Sequence, residues 1–424
     1  MFLKPFRSLS PAQWRTFSAC FLGWSLDAFD FFLLTFCLDS IAATFHVSLA
    51  TAADSITWTL CMRPVGALLF GLLAERIGRR PTLMLNVLTF SIFGVASAFA
   101  PTFTSFLVMR ALFGVAMGGE WGVGAALALE SIPADVRGFF SGLLQEGYMA
   151  GNLLAAAAYG SIYPHLHAHG FMTKWRMLFL LGGIPAAVAA FIGMGVEESP
   201  AWKKGRSKGS GESYRALVKS LPLFCFLGFL MFGFNSFSHG TQDLYPTFLK
   251  HDKGLSVQAT SIVSILGTVG AFVGGICAGA LSERFGRRRT IALAALLAVP
   301  VIPLWIWSHT AAMLAVGGFL MQLMVQGAWG VIPVHLNELS PGPVRAILPG
   351  MAYQLGNLLS SGNGHFQAEV AQRMFGGRLA PVLGWTVVFC AVFIAVVTSL
   401  GREARGADMS GGTVDEPMPT ARLA

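Results

Sequence analysis

GLLAERIGRR, residues 71–80, returns as GALSERFGRR at residues 279–288, an offset of 208 in a chain of 424 residues. The recurrence extends well past these ten positions. At the same offset Trp121-Gly122-Val123 returns as Trp329-Gly330-Val331, Glu130 as Glu338, Pro133 as Pro341 and Arg137 as Arg345. After a three-residue deletion, Gly151-Asn152-Leu153-Leu154 returns as Gly356-Asn357-Leu358-Leu359. A match spread over so much of each half means one architectural unit used twice.

Composition says which solvent surrounds that unit. Only 12% of the residues are charged and 54% are hydrophobic, with a mean hydropathy of +0.63, whereas soluble domains carry about 25% charged residues. Apolar stretches of roughly 17 to 25 residues each cross a bilayer as one helix. Twelve are expected, near 16–38, 51–74, 82–100, 103–131, 139–163, 174–196, 220–246, 257–281, 290–308, 311–334, 346–370 and 379–400. The fold class expected is therefore an all-α membrane protein of twelve transmembrane helices in two parallel-repeated six-helix bundles. The divisions expected are a first bundle over 1–196, a linker over 197–219, a second bundle over 220–400 and a tail over 401–424. The linker GVEESPAWKKGRSKGSGESYRALVKS is rich in Gly, Ser and mixed charge, as solvated connectors are. The opening MFLKPFRSLSPAQWR is basic without an apolar core or cleavage site, so no removed signal peptide is expected.

Basic residues are retained on the cytoplasmic side of a membrane. With an even number of spans the two termini share a side, and 21 of the 29 Lys and Arg fall there, six on the opposite side. Both termini are thus expected in the cytoplasm, in a multi-pass protein of the cytoplasmic (inner) membrane, and the net charge of +8 reads as topology, with no nucleic-acid partner implied. Arg63 and Arg110 are left, both inside expected spans. The six cysteines stand singly without ligand spacing and read as small core residues. His165, His167 and His169 read as exposed polar residues of a short loop; no metal and no cofactor is expected. Without a P-loop, nucleotide-driven pumping is not expected either, and nothing reads as an enzyme.

The paired loops, the segment RALFGVAMGGEWG at 110–122 and EESPAW at 197–202 resemble the major facilitator superfamily over essentially the whole chain. GWSLDAFDF at 23–31 resembles the sialate:proton symporter family within it. NSFSHGTQDLYPT at 235–247 fits every fixed position of N-x-x-[ST]-H-x-[ST]-Q-D-x-x-x-T, the pattern of the fungal lactate and pyruvate symporters. The resemblance implies a gating role for Gly71, Glu75, Arg76, Gly78 and Arg79, and for Glu283, Arg284, Gly286 and Arg287. Glu75 and Glu283 stand where that loop usually has Asp, so charge is kept and reach is longer.

The polar residues of the seventh span also speak for themselves. At about 100° per residue, Asn235, Ser238, His239, Gln242 and Asp243 fall within an arc of roughly 140°. One wet face on an otherwise apolar helix points into a cavity, since polar groups within a span are seldom left in lipid; interhelical hydrogen bonding is the alternative. Comparison of the halves adds to this. At offset 208, Asp27 and Asp30 face Asn235 and Ser238, Arg63 faces Ala271, Arg110 faces Gly318 and Glu120 faces Ala328. These charges belong to one half only. Symmetric pairs such as Arg137 and Arg345, or Glu130 and Glu338, read instead as scaffold and gate.

Arg63 is suited to a substrate carboxylate through its planar fork of donors, or to an internal ion pair with Asp27 or Asp30. Gln354 and Asn357, at i and i+3, either orient a hydroxyl or keto oxygen or pack against the other half; a Q-x-x-N pair here also resembles the lactate symporters. The expected substrate-binding set is Arg63, Asn235, Ser238, His239, Gln242, Gln354 and Asn357. For the proton, Asp27, Asp30, Glu120, Glu146 and Asp243 are all eligible, but an imidazole starts near 6.5. His239 and Asp243, one turn apart, are expected to titrate as a unit, with Asp27 and Asp30 as the alternative. The function expected is proton-coupled symport of a small carboxylate, lactate or pyruvate, by a monomer. Sialate or another organic acid, and a non-transporting sensor, are the rival readings.

Overall fold

The computed structural model describes residues 8–205 and 210–409. Lys4, Arg7, Arg206, Lys208 and Arg422 of the charge count, and the tail from residue 410, lie outside the described residues. Ten described helices are long and apolar enough to cross a bilayer: Pro11–Phe45, Thr51–Ile77, Arg79–Ala98, Phe103–Ser131, Lys174–Gly195, Leu221–His251, Gln258–Phe285, Arg287–Trp307, Ala311–Leu339 and Ala380–Leu400. The fifth and eleventh spans are each present in two pieces, Arg137–Gln145 with Gly147–Ser161 and Leu348–Ser360 with Asn363–Met374. Together these make twelve spans. The two broken ones occupy corresponding places in the repeat, which is where transporter folds put their binding sites.

Helix ends follow local chemistry. Ser10 forms a capping box with Gln13 at the first span, and Thr102 does so with Ser105 at the fourth. Ser48, Ser256 and Thr310 cap the second, eighth and tenth spans, satisfying N–H groups that the helix itself leaves open. The repeated loop turns on Gly78 and Gly286, whose φ angles of 111° and 90° favour glycine because a Cβ is crowded there. Those two glycines let the third and ninth spans start at once after the second and eighth. Between them, the sixth and seventh spans are joined through two short helices, Pro200–Gly205 and Ser210–Lys219.

Within each half the packing depends on missing side chains. The second span meets the fourth through Gly66, Gly114 and Gly118, where a Cβ would run into the backbone of Val115, Thr59 and Arg63. The eighth meets the tenth in the same way, with Gly270 against Phe319, Gly274 against Leu323 and Gly330 against Gly275. Lipid supplies no hydrophobic force between helices, so close backbone approach and dispersion hold them. Across the seam between halves, Gly122 faces Gly350, Gly138 faces Gly279 and Gly142 faces Gly275. These seam contacts are gathered toward the face that carries the repeated basic loops, and toward the other face the halves diverge around a cavity. Overpacking costs about 1–3 kcal/mol, so Gly118→Leu should lower the thermal unfolding midpoint by several degrees; an unchanged midpoint would show that this close approach is dispensable.

Candidate substrate cavity and gate

The cavity has a volume of about 770 Å³ and draws its walls from both halves. Arg63, Gln145, Tyr148 and Asn152 line it from the first half, Asn235, Ser238, His239, Gln242, Asp243 and Asn357 from the second. Its floor is aromatic. Trp121 stacks on Tyr353 at 4.7 Å between ring centroids, Trp329 meets Tyr353 edge-on at 5.7 Å, and Trp24 contacts Tyr148 at 5.5 Å. Trp121 and Trp329 are repeat equivalents, as are Tyr148 and Tyr353, so the floor is built nearly symmetrically while the walls above it are not.

On the seventh span the wet face points inward as a set. Gln242 donates from Nε2 to Gln322 Oε1 at 2.8 Å, and Gln322 Nε2 donates to Thr241 Oγ1 at 3.3 Å. Gln326 Nε2 donates to Ser238 Oγ at 3.4 Å, and Asn235 Nδ2 donates back to the Met231 carbonyl at 2.8 Å. His239 Nδ1 lies 3.2 Å from Asp243 Oδ2, with the two side chains 42% and 45% exposed to the cavity. A carboxylate at that distance fixes the tautomer and orientation of the ring. Asn357 sits beside His239 and donates from Nδ2 to Gln354 Oε1 at 3.3 Å. Gln354 itself lies below the wall, 1% exposed, donating to the Gly118 carbonyl of the other half at 3.5 Å. Of the two Q-x-x-N residues, then, Asn357 reaches the cavity and Gln354 holds the halves together.

Arg63 is 3% exposed, its guanidinium carbon 5.7 Å from the Tyr353 ring centroid. Its Nε and Nη2 have no hydrogen-bond partner, and neither has either carboxylate oxygen of Asp27. The hydrogen-bonded ion pair weighed above is therefore not formed, although Asp27 lies within electrostatic reach of Arg63, Arg110 and Asp30. Asp30 is held where glycines leave room: a Cβ on Gly94 or Gly182 would come within 3.2 or 3.1 Å of its carboxylate oxygens. Glu120 is likewise buried, against Gly23 and Gly124. Asp27, Asp30 and Glu120 thus stand behind the cavity wall, whereas His239 and Asp243 stand in it.

Beneath the floor the repeated loops form a closed network on the basic face. Arg79 makes a two-pronged contact with Glu75 at 2.8 and 3.1 Å and reaches Glu130 at 3.4 Å. Arg287 reaches Glu283 at 3.0 Å and makes its own two-pronged contact with Glu338, at 2.9 and 3.0 Å. Each terminal glutamate then takes an arginine from the other half: Arg345 reaches Glu130 at 3.4 Å, and Arg137 reaches Glu338 at 3.7 Å. Glu75 also accepts the Ala346 N–H at 3.0 Å across the seam, and Glu283 accepts that of Gly138. Gly71 belongs to the same seam, since a Cβ there would stand 3.0 Å from Ile347 Cα. Just outside the spans, Glu198 accepts the backbone N–H groups of Arg79 and Arg80 at 3.0 and 3.2 Å, while its own burial pushes its carboxyl above the ordinary value.

Two residues expected in the gate are elsewhere. Arg76 and Arg284 are exposed at the surface. One residue beyond Glu75 or Glu283, each is turned about 100° away, while Arg79 and Arg287 at i+4 share the acid's face. Gln145, Tyr148, Asn152, Gln322, Gln326 and Tyr353 were not singled out as site residues from the sequence. Gln322 and Gln326 carried a signal, two amides at i and i+4 in an uncharged span; Asn152 carried another, as the repeat equivalent of Asn357. His165, His167 and His169 are exposed, and among the described residues no group of His, Cys, Asp and Glu is placed to hold a metal ion.

The model of the Major Facilitator Superfamily matches residues 20–362. The chain is similar to a probable 4-methylmuconolactone transporter of Cupriavidus pinatubonensis, 28% identical over 99% of this chain and 97% of the relative. It is similar as well to a carboxylic acid transporter protein homolog of Saccharomyces cerevisiae, 28% identical over 88% of this chain and 64% of the relative. Among solved structures it is similar to the proton:xylose symporter XylE bound to 6-bromo-6-deoxy-D-glucose, with a TM-score of 0.76 and 18% identity over 94% of this chain and 98% of that one. At that identity the likeness concerns the fold. The unpaired fork of Arg63 generates a prediction of its own: Arg63→Lys should weaken equilibrium binding of small carboxylates roughly tenfold, because a point charge does not reproduce bidentate geometry. Unchanged binding in Arg63→Ala would remove the arginine from the list of ligands.

Proposed function

The chain belongs to the major facilitator superfamily, and from that premise we propose that it is a proton-coupled symporter moving a small carboxylate, lactate or pyruvate by its seventh-span motif, across the cytoplasmic membrane. The observation that carries this reading is the unpaired Arg63 guanidinium lining a cavity whose opposite wall is the polar face of the seventh span. By the charge distribution, the basic face is cytoplasmic. The structure is then the outward-facing state, with the cavity open to the exterior and the gate shut beneath it.

In the cycle we propose, residues 1–196 and 220–400 rock against each other about the cavity. The substrate carboxylate meets Arg63, and Asn357 and Gln242 offer polar contacts to its hydroxyl or keto oxygen. Carrying an anion inward against a negative interior costs about 2.3 kcal/mol per charge per 100 mV, so one proton per monocarboxylate makes the step electrically neutral. His239 and Asp243, hydrogen-bonded and facing the cavity, are placed to take that proton from outside as a coupled unit. Uptake is then favoured by acid outside.

A second reading has its own support. A cavity of about 770 Å³ lies in the range of roughly 300–1,000 Å³ that takes drug-sized ligands, and Phe31, Phe32, Tyr148 and Trp305 contribute apolar surface to it. On this reading the cargo is a larger unsaturated organic acid, in keeping with the muconolactone named for the Cupriavidus relative. Uptake into proteoliposomes of labelled lactate, pyruvate, sialate and a six-carbon unsaturated acid, with and without an inward proton gradient, separates the two. Uptake of none of them by folded protein would overturn both.

Two further outcomes are expected. Asp243→Asn should abolish gradient-driven accumulation yet leave downhill counterflow, whereas Asp27→Asn should leave accumulation partly intact; the reverse pattern would move the proton to the first span. Glu75→Gln, a gate variant, should slow exchange several-fold with little effect on equilibrium binding. Weakened binding with intact exchange would contradict that division of labour.

A further inference from the structure

The two halves end alike and then part company. Glu198 follows the sixth span and accepts the N–H groups that open the third; Glu403 follows the twelfth and accepts the Arg288 N–H, at 3.1 Å, at the opening of the ninth. Arg80 donates to the Ile192 and Gly193 carbonyls, and Arg288 to those of Thr398 and Ser399. Beyond Glu198 the chain becomes the linker. Beyond Glu403 it has no repeat counterpart, and it lies across the basic face.

There it bonds to the gate itself. Arg405 Nη1 donates to the carbonyls of Glu283 and Arg284 at 3.1 and 3.0 Å. The chain turns at Gly406, φ +77°, whose N–H donates to Glu338 Oε1 at 3.2 Å. Arg137 Nη1, from the first half, donates to the Ala407 carbonyl at 3.1 Å, and Arg345 Nη1 donates to that of Met409 at 3.3 Å. Met409 is fully buried, within the core cluster formed mainly by the second half. Glu338, Arg137 and Arg345 therefore each divide their bonds between a gate partner and this segment.

We propose that Arg405–Met409 is a strap that holds the basic face shut. It is anchored on the second half by Met409, Arg405 and the Gly406 N–H, and it clasps the first half through Arg137. Opening the basic face breaks Arg137–Ala407 together with Arg137–Glu338, so the strap's contacts favour the closed arrangement over the open one. A group that interacts differently with two states shifts their populations, and this one biases the protein toward facing outward. The inference rests on the alternating-access reading given above.

Cys61 supplies the readout. It is exposed and lines the cavity, whereas Cys20, Cys37 and Cys390 are buried, so in intact cells its alkylation by a charged, membrane-impermeant maleimide added outside reports how long the cavity stays open to the exterior. In full-length protein with Cys225→Ser and Cys277→Ser, Arg405→Ala and Met409→Asp should each slow Cys61 alkylation by roughly threefold or more, as expected when the favoured state loses a differential contact. Glu130→Gln, a gate substitution that does not touch the strap, should slow it too. A protein that has merely loosened would do the opposite, labelling faster and exposing Cys20 and Cys37. Slowing by Glu130→Gln with unchanged rates in Arg405→Ala and Met409→Asp overturns the strap. No slowing in any of the three overturns alternating access and the strap with it. Should Met409→Asp fail to fold, Arg405→Ala decides alone, since Arg405 is exposed at the surface.

Discussion

A buried arginine needs carboxylates or carbonyls around its donors, and at the basic face each half meets part of that need for the other. Arg345 reaches Glu130 and Arg137 reaches Glu338 across the seam, while Arg79 and Arg287 bind the same two acids from within their own halves. Neither six-helix unit can complete this network alone. Removing one partner of a buried pair costs about 3–5 kcal/mol, because the other charge is left without compensation. The network thus joins the two halves only while it is assembled, and pulling them apart at this face requires water to replace every cross-half bond together.

Glycine makes the arrangement mechanically possible. Where Gly122 meets Gly350 and Gly142 meets Gly275, two spans from different halves approach at backbone distance, so at these points no side chain interlocks across the seam. Inside each half the same residue type acts differently. Gly118 brings the fourth span onto the backbone of Arg63, fixing the arginine's position in the wall. The unpaired guanidinium is therefore held by packing, and its free donors remain available to an anion.

Symmetry divides the labour between floor and wall. The aromatic floor and the ion-pair network beneath it use repeat-related residues, Trp121 with Trp329, Tyr148 with Tyr353 and Glu130 with Glu338. A bound molecule has no such two-fold character, so the cavity wall has diverged: a cation stands in the first half and an imidazole with a carboxylate in the second. Asp27, Asp30 and Glu120, also confined to the first half, are buried behind the cavity wall, and of the three Asp27 lies within electrostatic reach of Arg63.

The sequence by itself determined the number of spans, the duplication and which residues share a helical face, since each depends on hydropathy, spacing and period within one segment. The inward set on the seventh span was legible for that reason. The fifth and eleventh spans could be counted but their breaks could not be placed, because a kink depends on what packs against it. Tertiary structure alone decided that Arg79 and Arg287 enter the ion-pair network of the basic face while Arg76 and Arg284 face out, that Gln354 is a tie between halves and Asn357 a wall residue, and that residues 401–409 lie across the seam. In each case the deciding contact joins residues far apart in the chain, and helical period fixes only which residues share a face, never which face meets a neighbour.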